Sequence, residues 1–173
     1  LTVTGAGAYG GVISGAGSLV KSGSGNLALT AAQTFAGGTL IQTNSSITVA
    51  NTTGSGLGSA NVTIEEGGAL YVGNGSSSGS VAAATITNNG SLEYNVTNDM
   101  TLANYIVGTG PVTKRGVNRL NIDTANDFSG VFWLSGGGIV RVSNPGAFGT
   151  ASTPDSYFSM AIPNSAGASL ELA

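Results

Sequence analysis

Residues 13–41 read ISGAGSLVKSGSGNLALTAAQTFAGGTLI, and residues 106–134 read IVGTGPVTKRGVNRLNIDTANDFSGVFWL. The two stretches align without a gap. Ile13 meets Ile106, Gly17 meets Gly110, Lys21 meets Lys114, Leu27 meets Leu120, Phe35 meets Phe128 and Gly37 meets Gly130, every pair 93 residues apart. The same offset pairs Leu1 with Tyr94 and Val3 with Val96, and Leu57-Gly58-Ser59-Ala60 meets Phe148-Gly149-Thr150-Ala151 at an offset of 91. The chain therefore reads as a single segment, 1–173, made of one module over about 1–93 and a second over about 94–173. Phe35 and Phe128 are expected in equivalent, largely buried places.

Within the modules apolar residues alternate with small polar ones, as in Leu27-Ala28-Leu29, Ile47-Thr48-Val49, Val62-Thr63-Ile64 and Leu70-Tyr71-Val72. A period of two marks strands with one buried face, and no stretch of a dozen residues carries a convincing helical period, so the fold class is all-β. Strands are predicted at 17–20, 26–29, 38–41, 46–49, 61–64, 69–72, 84–87 and 91–94. Strands so short, with Gly and Asn supplying the positive φ of tight corners, fit a sandwich, a barrel or a solenoid. The duplication favours the solenoid, because a closed sandwich does not ordinarily divide into two near-equal halves. Solenoid units run about 20 to 50 residues, so a module of 93 holds several coils. About eight coils are expected in all, spanning roughly 38 Å at ~4.8 Å per coil.

Composition narrows the function classes. Charged residues are 8% of the chain against about 25% in an ordinary soluble domain, which leaves Ser, Thr, Asn and backbone to carry solubility. Five basic residues, Lys21, Lys114, Arg115, Arg119 and Arg141, in a chain of net charge −3 give no footprint for a phosphate backbone, so nucleic acid is not an expected partner. The chain has no Cys for disulfides and no His, which removes the commonest metal ligand and general base. No apolar run approaches 18 residues, so no membrane insertion is expected of this segment.

The run Gly17 through Thr30, then Phe35-Ala36-Gly37-Gly38-Thr39, then Leu57-Gly58-Ser59-Ala60-Asn61-Val62-Thr63-Ile64 with Gly67-Gly68-Ala69-Leu70, resembles the autotransporter passenger-associated repeat. Residues 84–94, ATITNNGSLEY, resemble the rung that precedes such a repeat. The resemblance implies a right-handed parallel β-helix, export by a Gram-negative-type cell, and display outside the outer membrane as the stalk or adhesive part of a larger protein. The second copy departs from the pattern at Val117-Asn118-Arg119 and by an insertion from Asp155 through Ala161.

Motifs that elsewhere carry chemistry read here as structure. Gly5-Ala6-Gly7-Ala8-Tyr9-Gly10 has dinucleotide-fingerprint spacing, but no helix or distant acid follows to complete a βαβ unit, so it reads as a turn. Gly75-Ser76-Ser77-Ser78-Gly79 has the spacing of a nucleophile elbow without any His to activate a serine, and reads as a loop. The acids are Glu65, Glu66, Glu93, Asp99, Asp123, Asp127, Asp155 and Glu171. Glu65 and Glu66 are neighbours after a strand and are expected to point apart, and Asp123 and Asp127 are replaced by Thr30 and Thr34 in the first copy; all read as solvated turn acids. No catalytic, cofactor-binding or metal-binding residue is assigned, and calcium-dependent folding is not expected without a Gly-Gly-x-Gly-x-Asp repeat. Lys21 and Lys114 read as solvated edge residues that discourage sideways strand pairing. Phe132, Trp133 and Tyr157 are candidates for a sugar-binding platform, but Trp133 replaces Leu40 of the first copy and reads as core or partial core.

A non-enzymatic rod that spaces or presents another domain, and itself adheres, is the leading reading. A self-assembling extracellular filament is the second, and a polysaccharide-acting β-helix enzyme the third. Leu1, Val3, Leu170 and Leu172 continue the alternation to both limits, so the expected partners are further coils of one parent chain or end-to-end copies, with a host-surface or glycan ligand beside them.

Overall fold

The computed structural model describes residues 1–150 and 167–173, together with the backbone of 158–160. Asp155, Tyr157 and most of the 155–161 insertion lie outside the described residues. Among those described there is no helix. The chain is a parallel β-helix. Its first sheet stacks Thr2–Val3, Leu19–Lys21, Thr39–Ile41, Val62–Ile64, Thr85–Asn88, Tyr105–Gly108 and Asp127–Phe128. The second stacks Gly7–Tyr9, Gly25–Leu29, Ser45–Val49, Ala69–Val72, Ser91–Tyr94, Val112–Lys114, Phe132–Leu134 and Phe158–Met160. A third, of Met100–Thr101, Arg119–Ile122, Ile139–Val142 and Ser169–Leu172, closes the later coils. On that side the early coils are bonded without regular strands, through Thr34 N to Ile13 O at 3.0 Å, Ala36 N to Gly15 O at 2.8 Å and Gln33 N to Ser55 O at 2.7 Å.

The alternation explains the core. On the second sheet Leu27, Ile47, Leu70, Leu92, Val112 and Phe132 stack in register as one inward ladder, and Leu29, Val49, Val72, Tyr94, Lys114 and Leu134 form the next. All but one of these apolar residues are at most 2% exposed, Leu27 reaching 6%. Stacking each coil on the last satisfies the strand backbone and buries the ladders together, a core that grows only along the axis.

Coil length departs from the expectation. Successive strands of the first sheet pair Val20 with Leu40 and Ile86 with Ile106, 20 residues apart, but Val62 with Ile86, 24 apart. The extra residues sit in loops such as 73–84, so the chain completes about seven turns of the second sheet instead of eight.

The duplication is preserved locally and rotated globally. Leu19 stacks under Thr39, then Val62, Ile86 and Ile106, which takes four coils, and Val112, the counterpart of Leu19, lies one face further on. Lys21, on the first sheet, thus has its equivalent Lys114 on the second, and Leu27, on the second, has Leu120 on the third. Phe35 and Phe128 are 2% and 1% exposed, as their pairing required. A Cβ on Gly37 would strike the backbone of Gly17 one coil below, and a Cβ on Gly130 the backbone of Gly110, so the paired glycines stack identically at different corners. Gly58 and Gly149 hold φ of 67° and 79°, each against the carbonyl oxygen of its own copy's Phe35 or Phe128.

Candidate functional site

Both lysines that recur at the same module position are inside the helix, which corrects their reading as solvated edge residues: Lys21 is 0% and Lys114 1% exposed. The reason lies in the alternation, since each lysine follows an inward residue, Leu19 or Val112, by two positions. Its ammonium then meets the corner that follows. Lys21 Nζ donates to the carbonyls of Ser22 at 2.8 Å and Gly23 at 3.0 Å. Lys114 Nζ donates to the carbonyls of Arg115 and Gly116, both at 2.7 Å, and to Asn118 Oδ1 at 2.8 Å. Burial lowers the pKa of Lys21 and brings that of Lys114 down to about 8, the latter against the pull of Asp99. These are internal corner clamps, occupied with their own backbone. Tyr94, fully buried in the ladder beside Lys114, has its pKa raised by burial, and its hydroxyl finds no hydrogen-bond partner among the described residues.

Buried amides tie coil to coil. Gln33 Oε1 accepts from Ile13 N at 2.6 Å, Asn126 Oδ1 from Ile106 N at 2.9 Å, and Asn118 Nδ2 donates to Asn98 O at 2.8 Å. Each amide uses the one-coil spacing to satisfy backbone that no strand reaches.

The acids are dispersed along the rod. Asp99 accepts from Arg119 N at 2.8 Å and Asp123 from Ser143 Oγ at 2.8 Å, while Asp127 accepts from Thr150 Oγ1. Arg119 lies 3.3 Å from Glu171. Glu65 and Glu66 occupy a corner and not a strand, so alternation does not part them: both line one open groove of about 580 Å³ with Asn89, Thr109 and Pro111. Among the described residues no group of three or more potential metal ligands converges. Gly7–Tyr9 of the first glycine motif is an exposed strand, and Gly75–Gly79 is a loop in which Asn74 Oδ1 accepts from Ser76 N at 2.9 Å and Ser77 Oγ at 2.8 Å.

The second sheet also carries an outward ladder, Thr48, Tyr71, Glu93, Thr113 and Trp133, one residue per coil. Trp133 is 36% exposed, which corrects its reading as core or partial core; its strand neighbours Phe132 and Leu134 point inward. Phe132 is thereby withdrawn from any platform and packs instead near Phe148, ring centroids 5.0 Å apart. Arg115 leaves its strand just past Lys114 and sets Nε on Glu93 Oε2 at 2.7 Å, bridging two coils. Thr113, Arg115, Trp133 and Ser135 enclose a shallow cleft of about 220 Å³. Strand phase was the available signal for both corrections: counting by twos from Leu19, Val112 or Phe132 places the lysines in and the tryptophan out. No protein family, curated protein or solved structure matches this chain.

Proposed function

We propose that the chain is a structural and adhesive rod segment of an exported protein displayed on a Gram-negative-type cell. The observation that carries the reading is the unbroken stacking of coils: among the described residues the strands of all three sheets pair in parallel with their equivalents in the adjacent coils, over one continuous apolar core. A rod built in this way spaces whatever it carries away from its base, and its Ser-, Thr- and Asn-rich faces keep it soluble along its length.

The resemblance of the duplicated module to the autotransporter passenger repeat supports export and display. The test is protease accessibility on intact cells producing the parent protein: cleavage of this segment by external protease, without lysis, is expected, and protection until lysis would refute display.

A further inference from the structure

We infer that the outward ladder of the second sheet from Tyr71 to Trp133 is a binding strip for a neutral glycan chain. This gives the adhesive half of the proposed function a ligand class. Trp133 stands out from a face otherwise dressed mainly with small polar side chains, and an indole held at a strand centre is a rigid apolar surface with one N–H donor. Beside it, Arg115 is fixed by its Nε bond to Glu93, the arginine side chain being 50% and the glutamate 17% exposed. No hydrogen bond among the described residues engages the terminal nitrogens of Arg115, so its remaining donors face the cleft and solvent. Thr113 and Ser135 contribute hydroxyls to the same cleft.

That set matches the chemistry of a sugar. The apolar C–H face of a pyranose stacks on an aromatic ring, and its vicinal hydroxyls pair with planar, fixed donors and acceptors such as a guanidinium and a carboxylate. The ladder also has the right extent. Tyr71 and Trp133 are three coil steps apart, ~14 Å at ~4.8 Å per step, with Glu93 and Thr113 between them, which suits a short run of sugar units laid along the rod axis. The charge state selects the ligand: Glu93 and Arg115 neutralise one another, and a net charge of −3 disfavours a polyanion.

Trp133 is the only tryptophan in the chain, so its fluorescence reports this cleft directly. The experiment titrates the whole 173-residue chain with linear tetrasaccharides of glucose, galactose, mannose and N-acetylglucosamine, and with a heparin tetrasaccharide as the anionic arm. A saturable emission shift with at least one neutral sugar is expected, and isothermal titration calorimetry, which reads variants without the indole, is expected to show affinity lost in Trp133→Ala, partly kept in Trp133→Tyr, and about tenfold weaker in Arg115→Gln, the loss of roughly one good hydrogen bond to a charged group. Leu40→Ala, at the counterpart position on the first sheet, leaves binding unchanged, and circular dichroism confirms that every variant is folded. Absence of any shift across the neutral panel overturns the inference. So does unchanged affinity in Trp133→Ala, binding confined to heparin, or an emission shift that follows protein concentration without sugar, which would make the strip a lateral self-association surface. Because this readout needs no cell, a negative result leaves the displayed-rod reading standing, and failure of the protease test leaves the sugar result standing.

Discussion

Replacing Lys114 by Met removes the ammonium and keeps a stem of similar bulk, which isolates the corner clamp. The three bonds from Nζ are short, and hydrogen bonds to a charged group contribute about 1.5 to 3 kcal/mol each, so their loss costs on the order of 6 kcal/mol. Against this, Met has no charge to desolvate. The fall of the lysine pKa from 10.5 to about 8 shows that burial penalises the ammonium, so the bonds are partly offset in wild type. The expected net loss is about 1 to 3 kcal/mol at pH 7, the cost of leaving the corner acceptors unpaired. Urea unfolding followed by circular dichroism reads it. A pH series gives an independent check on sign. Because the folded pKa lies below the unfolded one, the unfolded chain holds a proton that the folded chain has released, so wild-type stability rises as pH goes from about 8 toward 10.5. Lys114→Met lacks this rise. A variant as stable as wild type at pH 7, or one with the same pH slope, would refute the clamp and restore the lysine to the surface.

Tyr94→Phe is expected to be neutral or stabilising by about 1 kcal/mol, because the hydroxyl is buried without a partner among the described residues, and to remove the loss of stability that its raised pKa imposes above pH 10; thermal melts at pH 7 and 10.5 check both. Gly110→Ala should cost several kcal/mol, since the added Cβ would strike the carbonyl of Gly90 and the side chain of Asn88, whereas Gly5→Ala, with open space around it, should change the urea midpoint little.

Strand positions were legible wherever inward residues were apolar. The predicted strands 26–29, 46–49 and 69–72 are Gly25–Leu29, Ser45–Val49 and Ala69–Val72. Misreading came where residue type and strand phase disagreed. A lysine in an inward phase was assigned by its charge to the surface, though the corner carbonyls within two residues of it supply the acceptors that let it stay inside. Trp133 reads as core or partial core from its alignment with Leu40, yet both take the outward phase of their strands. The pairing of Arg115 with Glu93 had no sequence signal, because it depends on which strands of neighbouring coils lie side by side, 22 residues apart.

The sequence by itself determined that the chain is all-β, that its duplicated module favours a solenoid over a sandwich or barrel, and that each Leu-x-Leu or Ile-x-Val pair forms a strand with one buried face. Only the tertiary structure decided that the second copy is turned one face round from the first, and therefore which side chains share a surface. Each face asks the same of local sequence, namely alternate inward residues and a corner that follows them, so no short motif encodes its face. The face is set by the accumulated coil lengths, and these depend on loops such as 73–84 that lengthen one coil to 24 residues and shift everything after it. Four coils and one face separate the two copies, which is why Trp133 stands in line with Tyr71 and Glu93 while its counterpart Leu40 looks out from another sheet.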